Sequence, residues 1–309
     1  MLVLGDLHLQ ENWIKRKQVE NFFNWLNNQE FIKNEKKIIL LGDLFEIPTP
    51  DSQLVLFYLD LFANKWKDKD IYIIQGNHDY NLETNSLDFF KFLDNVEIIK
   101  EKAERQIEMK AILFLPYYSH ENTDKKPMTE YYSSIEGKWD YIFGHIEDDT
   151  QHFGNKYCDL SKIKGKKVFG HIHTPDIQKK GNYIGSCIRN SSTEKNDKKY
   201  LALISKDNFE LIEIPVFMEY ETVEYGEEIK TKNNLVMLNV TNAPSRIDAV
   251  NFYESKYSNV KINKVITKRQ KTLENEKVIK NSDKDNWDLF CKEKSLSDQV
   301  KNICKNIIA

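Results

Sequence analysis

The sequence lacks four features that would each indicate a particular class of protein. No apolar run approaches the roughly 18 to 20 residues that a membrane span needs, so we expect no membrane segment. The 4 cysteines include no Cys-x-x-Cys pair, which argues against a zinc knuckle or a disulfide framework and favours a reducing, cytoplasmic compartment. The chain also has no excess of basic residues, since it contains 45 basic and 48 acidic residues. Composition alone therefore indicates no nucleic-acid partner. Met1 leads directly into a strand, and we therefore expect no secretory signal.

The chain is nevertheless long and apolar enough for a globular protein with a substantial core. It has 309 residues, of which 40% are hydrophobic and 30% charged, which favours two domains or one large domain with an appendage. We place an α/β domain over residues 1–215 and a smaller strand-helix-strand unit over 216–270. A polar linker and an amphipathic helix are expected over 271–309, because four apolar residues there recur at helical steps: Leu296, Val300, Ile303 and Ile307.

One pattern recurs through the first two-thirds of the chain: a short apolar run, a glycine, and then a cluster of Asp, His or Asn. Such apolar runs are typical of strands buried on both faces, and the amphipathic helical patterns between the early strands indicate an α/β architecture. We expect the clusters to share the rim of one sheet, at the carboxyl ends of its strands. The five clusters are Gly5-Asp6-Leu7-His8, Gly42-Asp43, Gly76-Asn77-His78-Asp79, Gly144-His145 and Gly170-His171-Ile172-His173.

The side chains of these clusters form a donor set that is typical of a two-metal centre. A single such cluster is more often a turn or a hydrogen-bonded buried histidine, so the prediction depends on their gathering at one rim. Imidazole, carboxylate and amide donors without a thiolate suit manganese, iron or zinc. Seven donors are too many for one ion but fit two ions about 3.5 to 4 Å apart that share a carboxylate. The candidate ligands are Asp6, His8, Asp43, Asn77, His145, His171 and His173.

In order and spacing, the five clusters resemble the signature of calcineurin-like metallophosphoesterases, over roughly residues 1–215. The resemblance implies an α/β fold of four layers, an α-β-β-α sandwich, with a small α/β capping domain and a C-terminal helix. Within the superfamily the chain most resembles the SbcD-like DNA repair and recombination nuclease subunits, which include bacteriophage members. Three segments favour that branch: Gly42-Asp43-Leu44-Phe45, Phe143-Gly144-His145-Ile146 and Tyr183-Ile184-Gly185-Ser186.

This resemblance implies a role for each candidate residue. Asp6, His8, Asp43 and His173 would hold one metal ion, while Asp43, Asn77, His145 and His171 would hold the other, with Asp43 bridging. Manganese is the expected metal, with iron or zinc as alternatives. His78 would protonate the leaving oxygen or stabilise the transition state, and Asp79 would orient His78. A metal-activated hydroxide would then attack the phosphodiester in line.

Glu46 departs from the pattern of many relatives, which carry a phosphate-contacting histidine directly after Asp-Leu-Phe. A carboxylate this close to a phosphate would repel it, unless the side chain turned away or bound a metal-linked water. The alternative is that Glu46 simply points to solvent.

The resemblance also implies partners. DNA would contact the capping unit through Lys261, Lys264, Lys268 and Arg269, although lysines at this density are often only a solvated face. The C-terminal helix would dock on an SbcC-like SMC-type ATPase through Leu296, Val300, Ile303 and Ile307, or else pack on the chain's own body. Such subunits are usually homodimers. The lysine- and asparagine-rich composition suits a phage protein, which would act in the host cytoplasm.

The hypothesis is therefore a metal-dependent DNA exonuclease or endonuclease subunit, and two alternatives remain open. One is a small-molecule phosphodiesterase or pyrophosphatase, of lipid A or nucleotide type. Lipid A pathway hydrolases share the segments at residues 6–9 and 42–46 but carry a His-Gly-Asp motif where this chain has Gly-His-Ile-Glu at 144–147. The other alternative is a non-catalytic scaffold for an ATPase, a class that typically loses ligands, whereas none is missing here.

Overall fold

The structure, a computed structural model, describes residues 1–118, 127–148, 158–177, 182–205, 208–231 and 234–267. The chain divides into two compact units: Met1–Glu221 with Lys230–Met237, and Thr222–Ile229 with the described residues from Leu238 onward. Among the described residues, no helix is long and apolar enough to cross a membrane. The predicted C-terminal helix, with Leu296, Val300, Ile303 and Ile307, lies outside the described residues, as do Lys268 and Arg269.

The first unit contains a six-stranded sheet whose central strands run parallel. Its strands are β1 (Leu2–Leu4), β2 (Lys37–Leu40), β3 (Asp70–Ile74), β4 (Val96–Ile99), β9 (Lys199–Ile204) and β10 (Phe209–Ile214), in the order β10-β9-β1-β2-β3-β4. Leu2 pairs with Ile38, and Ile38 pairs with Ile71, so β1, β2 and β3 are in register. The segments that follow these three strands therefore leave the sheet at the same edge.

A second, four-stranded sheet lies in the same unit. Its strands are β5 (Ala103–Ile107), β6 (Lys110–Leu115), β7 (Gly137–Gly144) and β8 (Ile163–Phe169), in that order. β6, β7 and β8 are parallel, whereas β5 pairs antiparallel with β6 through a tight turn. Glu108 and Met109 at this turn have φ of 50° and 63°, as the hairpin turns with two left-handed central residues require.

The alternation of side chains along the strands builds two cores on the two faces of the first sheet. Leu2 and Leu4 of β1 pack on the helices, while Val3 and the preceding Met1 face the second sheet. The helices of the outer layer are α1 (Trp13–Asn27), α2 (Glu30–Asn34) and α3 (Ser52–Asp60), and a π-helical turn at Leu61–Lys65 follows α3. Asn12 and Asp51 cap α1 and α3, each with a side chain that accepts a backbone N–H.

The outer face of the second sheet packs on α4 (Met128–Ser133), whose Tyr132 is fully buried there. The layers are therefore helix, sheet, sheet and helix, which confirms the predicted α/β sandwich. One expectation was wrong, because the five polar clusters follow strands of two sheets rather than one. Their meeting depends on the packing of the two sheets through the shared apolar core, which the pattern along single strands does not contain.

The second unit holds most of a three-stranded sheet in the order β11-β12-β13. These strands are β11 (Met218–Glu224), β12 (Leu235–Ala243) and β13 (Val260–Thr267), with α5 (Arg246–Tyr253) between the last two. The predicted strand, helix and strand are all present, and Ser245 caps α5 by accepting from Asp248 N. The helix ends at Tyr253, and residues 254–259, which follow it, offer no buried side chain.

Candidate metal centre

Backbone hydrogen bonds between loops bring the candidate ligands together. The amide of His8 donates to the carbonyl oxygen of Asp43 at 2.9 Å, which joins the loops after β1 and β2. The amide of Gly170 donates to the carbonyl oxygen of Gly144 at 3.0 Å, which joins the loops after β7 and β8. His171 N in turn lies 3.1 Å from Asp6 Oδ1, so the Asp6 carboxylate links the two sheets. The centre is thus formed where the carboxyl edges of both sheets meet.

Asp6, His8, Asp43 and His173 form the first group of candidate ligands. The Nε2 atoms of His8 and His173 are 3.0 Å apart, and His8 Nε2 is 3.4 Å from Asp43 Oδ2. Asp6, His8 and Asp43 are all buried, with ligand atoms within 4.8 Å of one another. Imidazole nitrogens that face each other beside carboxylate oxygens present their lone pairs to a common point. This arrangement fits a divalent cation.

The second group consists of Asn77, His145 and His171 together with Asp43. Asn77 Oδ1 lies 2.9 Å from His171 Nδ1 and 3.0 Å from His145 Nε2. His145 Nε2 is also 3.2 Å from Asp43 Oδ2, the same oxygen that lies near His8. One carboxylate oxygen therefore belongs to both groups, as a bridging ligand between two ions would. The structure brings all seven sequence-predicted ligands into these two groups.

The backbone is strained at several of these positions. His8, Asp43 and His171 have φ of 45°, 49° and 78°, in the left-handed region that costs a residue other than glycine roughly 1 kcal/mol or more. Gly42 has φ of 104°, and a Cβ there would lie 2.5 Å from His145 Nδ1. Such strain is typical of functional sites, where the surrounding structure holds side chains in one geometry.

The electrostatics of the centre also favour a cation. Burial by itself would raise the pKa of Asp43, but the neighbouring His145 and His8 lower it below its usual range. Burial opposes protonation of His145, yet the charges of Asp43 and Asp6 raise its pKa to about 9. Burial and the charge of His145 lower the pKa of His171 to about 4, so this ring is neutral and able to coordinate. Buried carboxylates that stay ionised need positive charge beside them.

The expected pairing of Asp79 with His78 was wrong. The Asp79 carboxylate is fully buried and accepts the backbone amides of Asp43, Leu44 and Gly76 at 2.8 to 3.0 Å. The Nδ1 atom of His78 instead lies 2.8 Å from the carbonyl oxygen of Glu46. Asp79 therefore ties together the loops after β2 and β3, since a short side chain between two tight turns reaches backbone amides before it reaches the neighbouring ring.

Glu46 turns towards the centre and not simply to solvent. Its side chain is 41% exposed, and its Oε2 atom lies 3.0 Å from Nδ1 of His8. The interaction with His8 lowers the pKa of Glu46. A carboxylate beside the outer nitrogen of a histidine favours the ring orientation in which the other nitrogen faces the centre. This position accounts for an acidic residue beside the candidate metal centre.

The sequence reasoning missed a second supporting carboxylate, Glu194, and its partner Lys199. Both are buried, and Glu194 Oε1 lies 3.2 Å from His173 Nδ1 while Glu194 Oε2 lies 2.6 Å from Lys199 Nζ. Glu194 thereby fixes the ring of His173 with Nε2 facing the centre. The only local signal is Ser191-x-x-Glu194, a capping box at the 3₁₀ turn Ser192–Glu194, and this pattern indicates a helix start rather than a metal site.

The basic residues predicted to contact DNA lie in the second unit, as far as they are described. Lys261 and Lys264 are on β13, where Lys261 Nζ is 3.2 Å from a carboxylate oxygen of Glu254 and Lys264 is exposed. The charge of Lys261 is therefore partly neutralised within its own unit. DNA contact by these residues stays a prediction.

Comparison with known proteins agrees with this geometry. The family model for calcineurin-like phosphoesterases matches residues 1–175, more than half of the chain, and this span includes every candidate ligand. A search of the curated proteins finds no match. The family consists of metal-dependent hydrolases of phosphoesters, which is the chemistry that two adjacent cation sites support. The chain belongs to the calcineurin-like phosphoesterase family.

Proposed function

We propose that this protein is a two-metal phosphodiesterase that cleaves DNA, as the nuclease subunit of an SbcCD-like recombination and repair complex. The observation that carries the catalytic part is the position of Asp43 Oδ2 between His8 Nε2 and His145 Nε2, at 3.4 and 3.2 Å. Manganese is the metal that we favour, because imidazole, carboxylate and amide oxygen donors suit it. The choice of DNA rests on the resemblance of the sequence clusters to SbcD-like nucleases.

Two bound divalent ions would supply an activated hydroxide and would offset the charge of the phosphate. The chain itself supplies a proton donor in His78, a half-buried ring whose centroid is 4.8 Å from that of His8. A carbonyl oxygen only accepts hydrogen bonds, so Nδ1 of His78 carries a hydrogen that it donates to Glu46 O. Protonation of the ring then places the second hydrogen on Nε2, from which it can pass to the leaving oxygen.

The proposal also includes two protein partners. An SMC-type ATPase would bind the C-terminal helix that the sequence predicts around Leu296, Val300, Ile303 and Ile307, and two copies of the chain would act as a homodimer. Intrinsic affinity for DNA is expected to be weak, because the net charge is −3, and the ATPase would supply the missing affinity.

The decisive experiment is cleavage of linear duplex and single-stranded DNA with manganese, with bis-p-nitrophenyl phosphate hydrolysed in parallel. His78→Ala is expected to lose DNA cleavage while it still binds two metal ions, whereas Asp43→Ala is expected to lose both. Lys264→Ala tests the capping unit, with Lys198→Ala as a matched control at an exposed lysine of the first unit. DNA cleavage that persists in His78→Ala and Asp43→Ala would overturn the proposal.

Hydrolysis of the small diester without any DNA cleavage would instead favour the small-molecule phosphodiesterase, unless an SMC-type ATPase restored activity on DNA. Absence of both activities in a protein that binds two ions would favour the non-catalytic scaffold.

A further inference from the structure

A cavity of about 340 Å³ lies in the first unit and shares a loop with the candidate metal centre. Gln75 and Tyr80 line the cavity, while Asn77 and His78, between them in the chain, belong to the metal centre. The cavity is therefore separated from the site of phosphate chemistry by only the width of one loop. It is large enough for a planar heterocycle with its sugar, near the lower end of small-molecule sites.

Aromatic rings lead from the metal centre to this cavity. The ring centroid of Tyr117 is 6.1 Å from that of His171, a candidate ligand, and 6.4 Å from that of Tyr80, in the cavity wall. Tyr118 and Tyr131 form another part of the wall, with centroids 6.3 Å apart. Aromatic side chains at this spacing offer surfaces on which successive bases of a single strand stack.

Two side-chain amides of the cavity wall are held in place by hydrogen bonds, and one tyrosine hydroxyl of the wall has no partner. Asn85 Nδ2 donates to Gln75 Oε1 at 2.6 Å, and Gln75 Nε2 donates to the carbonyl oxygen of Tyr117 at 2.8 Å, so both amides are held in place. Tyr118 is 8% exposed, and its buried hydroxyl makes no hydrogen bond to any part of the chain that the structure describes. A buried hydroxyl without a partner is costly, so a ligand that reached it would gain a hydrogen bond.

The charges of the wall argue against an anionic ligand. Lys100 Nζ lies 2.7 Å from Asp88 Oδ1, and Lys102 Nζ lies 2.8 Å from Glu104 Oε1, so both lysines of the wall are already paired. A phosphate or carboxylate would find no free cation in either of these lysines. A neutral, planar, hydrogen-bonding group fits the paired charges, the aromatic rings and the unpartnered hydroxyl together.

We propose that this cavity binds a nucleobase of the strand being cleaved, after the base has left its stack. The inference rests on the proposed action on DNA and extends it, because it assigns recognition of an unpaired base beside the scissile phosphate. The protein should then prefer single-stranded or frayed DNA to intact duplex, since a paired base must first be unstacked.

The test uses single-stranded oligonucleotides in which one base at a time is removed to leave an abasic site. With manganese-loaded wild type, one abasic position should raise KM by about 5- to 100-fold, the loss expected for one base stacked on aromatic rings, while distant positions should not. Thr84→Trp, which places a bulky side chain at an exposed residue of the cavity wall, and Tyr118→Phe, which removes only the hydroxyl, should lower DNA cleavage relative to hydrolysis of bis-p-nitrophenyl phosphate. Thr84→Trp should also abolish the dependence on the abasic position.

Tyr141→Phe is the matched control, because Tyr141 is a half-buried tyrosine of the same unit that does not line the cavity. The inference would be overturned if KM were the same at every abasic position and the cavity variants behaved as Tyr141→Phe does. That result would leave the nuclease proposal intact. Hydrolysis of the small diester without any DNA cleavage would refute the nuclease proposal, and the nucleobase site would fall with it.

Discussion

Glu194→Gln tests whether a buried carboxylate outside the sequence motifs positions a metal ligand. Glu194 is 3% exposed and accepts from His173 Nδ1 at 3.2 Å and from Lys199 Nζ at 2.6 Å. Its carboxylate also accepts the amide of Ser191 and the hydroxyl of Ser186. Burial alone would raise the pKa of Glu194, but His173 and Lys199 hold it below its usual range, so the group is ionised. The variant keeps the shape of the side chain and removes only its charge.

Two separate losses are expected from this single change. Lys199 is 6% exposed and would be left as a buried cation without its counter-charge, which costs about 3 kcal/mol of unfolding free energy, the lower end of the range for broken buried pairs. The lower end applies because Lys199 Nζ keeps the carbonyl oxygen of His173 and the hydroxyl of Ser186 as acceptors. Manganese affinity is expected to fall by about 10- to 100-fold, as when the carboxylate behind a ligating histidine is lost.

Urea unfolding of the metal-free protein measures the first loss, and competition with a chelator measures the second. Glu213→Gln is the matched control, because Glu213 pairs with Lys198 at 2.8 Å in an exposed ion pair and is expected to change neither quantity appreciably. The double variant Glu194→Gln/Lys199→Met should recover stability but not manganese affinity. Manganese affinity in Glu194→Gln equal to that of Glu213→Gln would refute the positioning role.

Three further predictions concern other parts of the structure. Asp79→Asn, which leaves one acceptor oxygen for three buried amides, should lower the free energy of urea unfolding by about 1 to 3 kcal/mol, and an unchanged value would contradict the assigned contacts. Burial lowers the pKa of Lys15 from 10.5 to about 8, so the folded chain binds fewer protons than the unfolded chain between these values. Stability should therefore rise from about pH 8 to 10.5 in wild type relative to Lys15→Met, and parallel pH profiles would contradict this. Gly42→Ala should abolish metal binding, because the new Cβ would clash with His145. Gly226→Ala is the control and should retain metal binding, since Gly226 has φ of 96° but no atom within 4 Å of a new Cβ. Equal metal binding by the two variants would show that the clash with His145 is not decisive.

Local sequence was enough for most of the first unit's strands and for the types of donor atom in the centre. Apolar runs such as residues 38–41 predict buried strands because a strand covered on both faces needs apolar side chains at every position. The glycine and polar residues that follow each run mark its carboxyl end, where Asp43 and Asn77 are found. These signals lie within a few residues of one another, so they can be recognised from the sequence alone.

Long-range packing determines how the clusters meet and from which donors each buried carboxylate accepts hydrogen bonds. The loops after β1, β2 and β3 join those after β7 and β8 only because the two sheets pack through one apolar core. Asp79 accepts hydrogen bonds from amides up to 36 residues away in the chain, and Glu194 contacts a histidine 21 residues away. A pattern of neighbouring residues therefore predicts neither contact. A carboxylate takes the nearest donors that the folded chain offers it. Local sequence accounts for the strands and the kinds of ligand, whereas long-range packing brings particular atoms to face the same point.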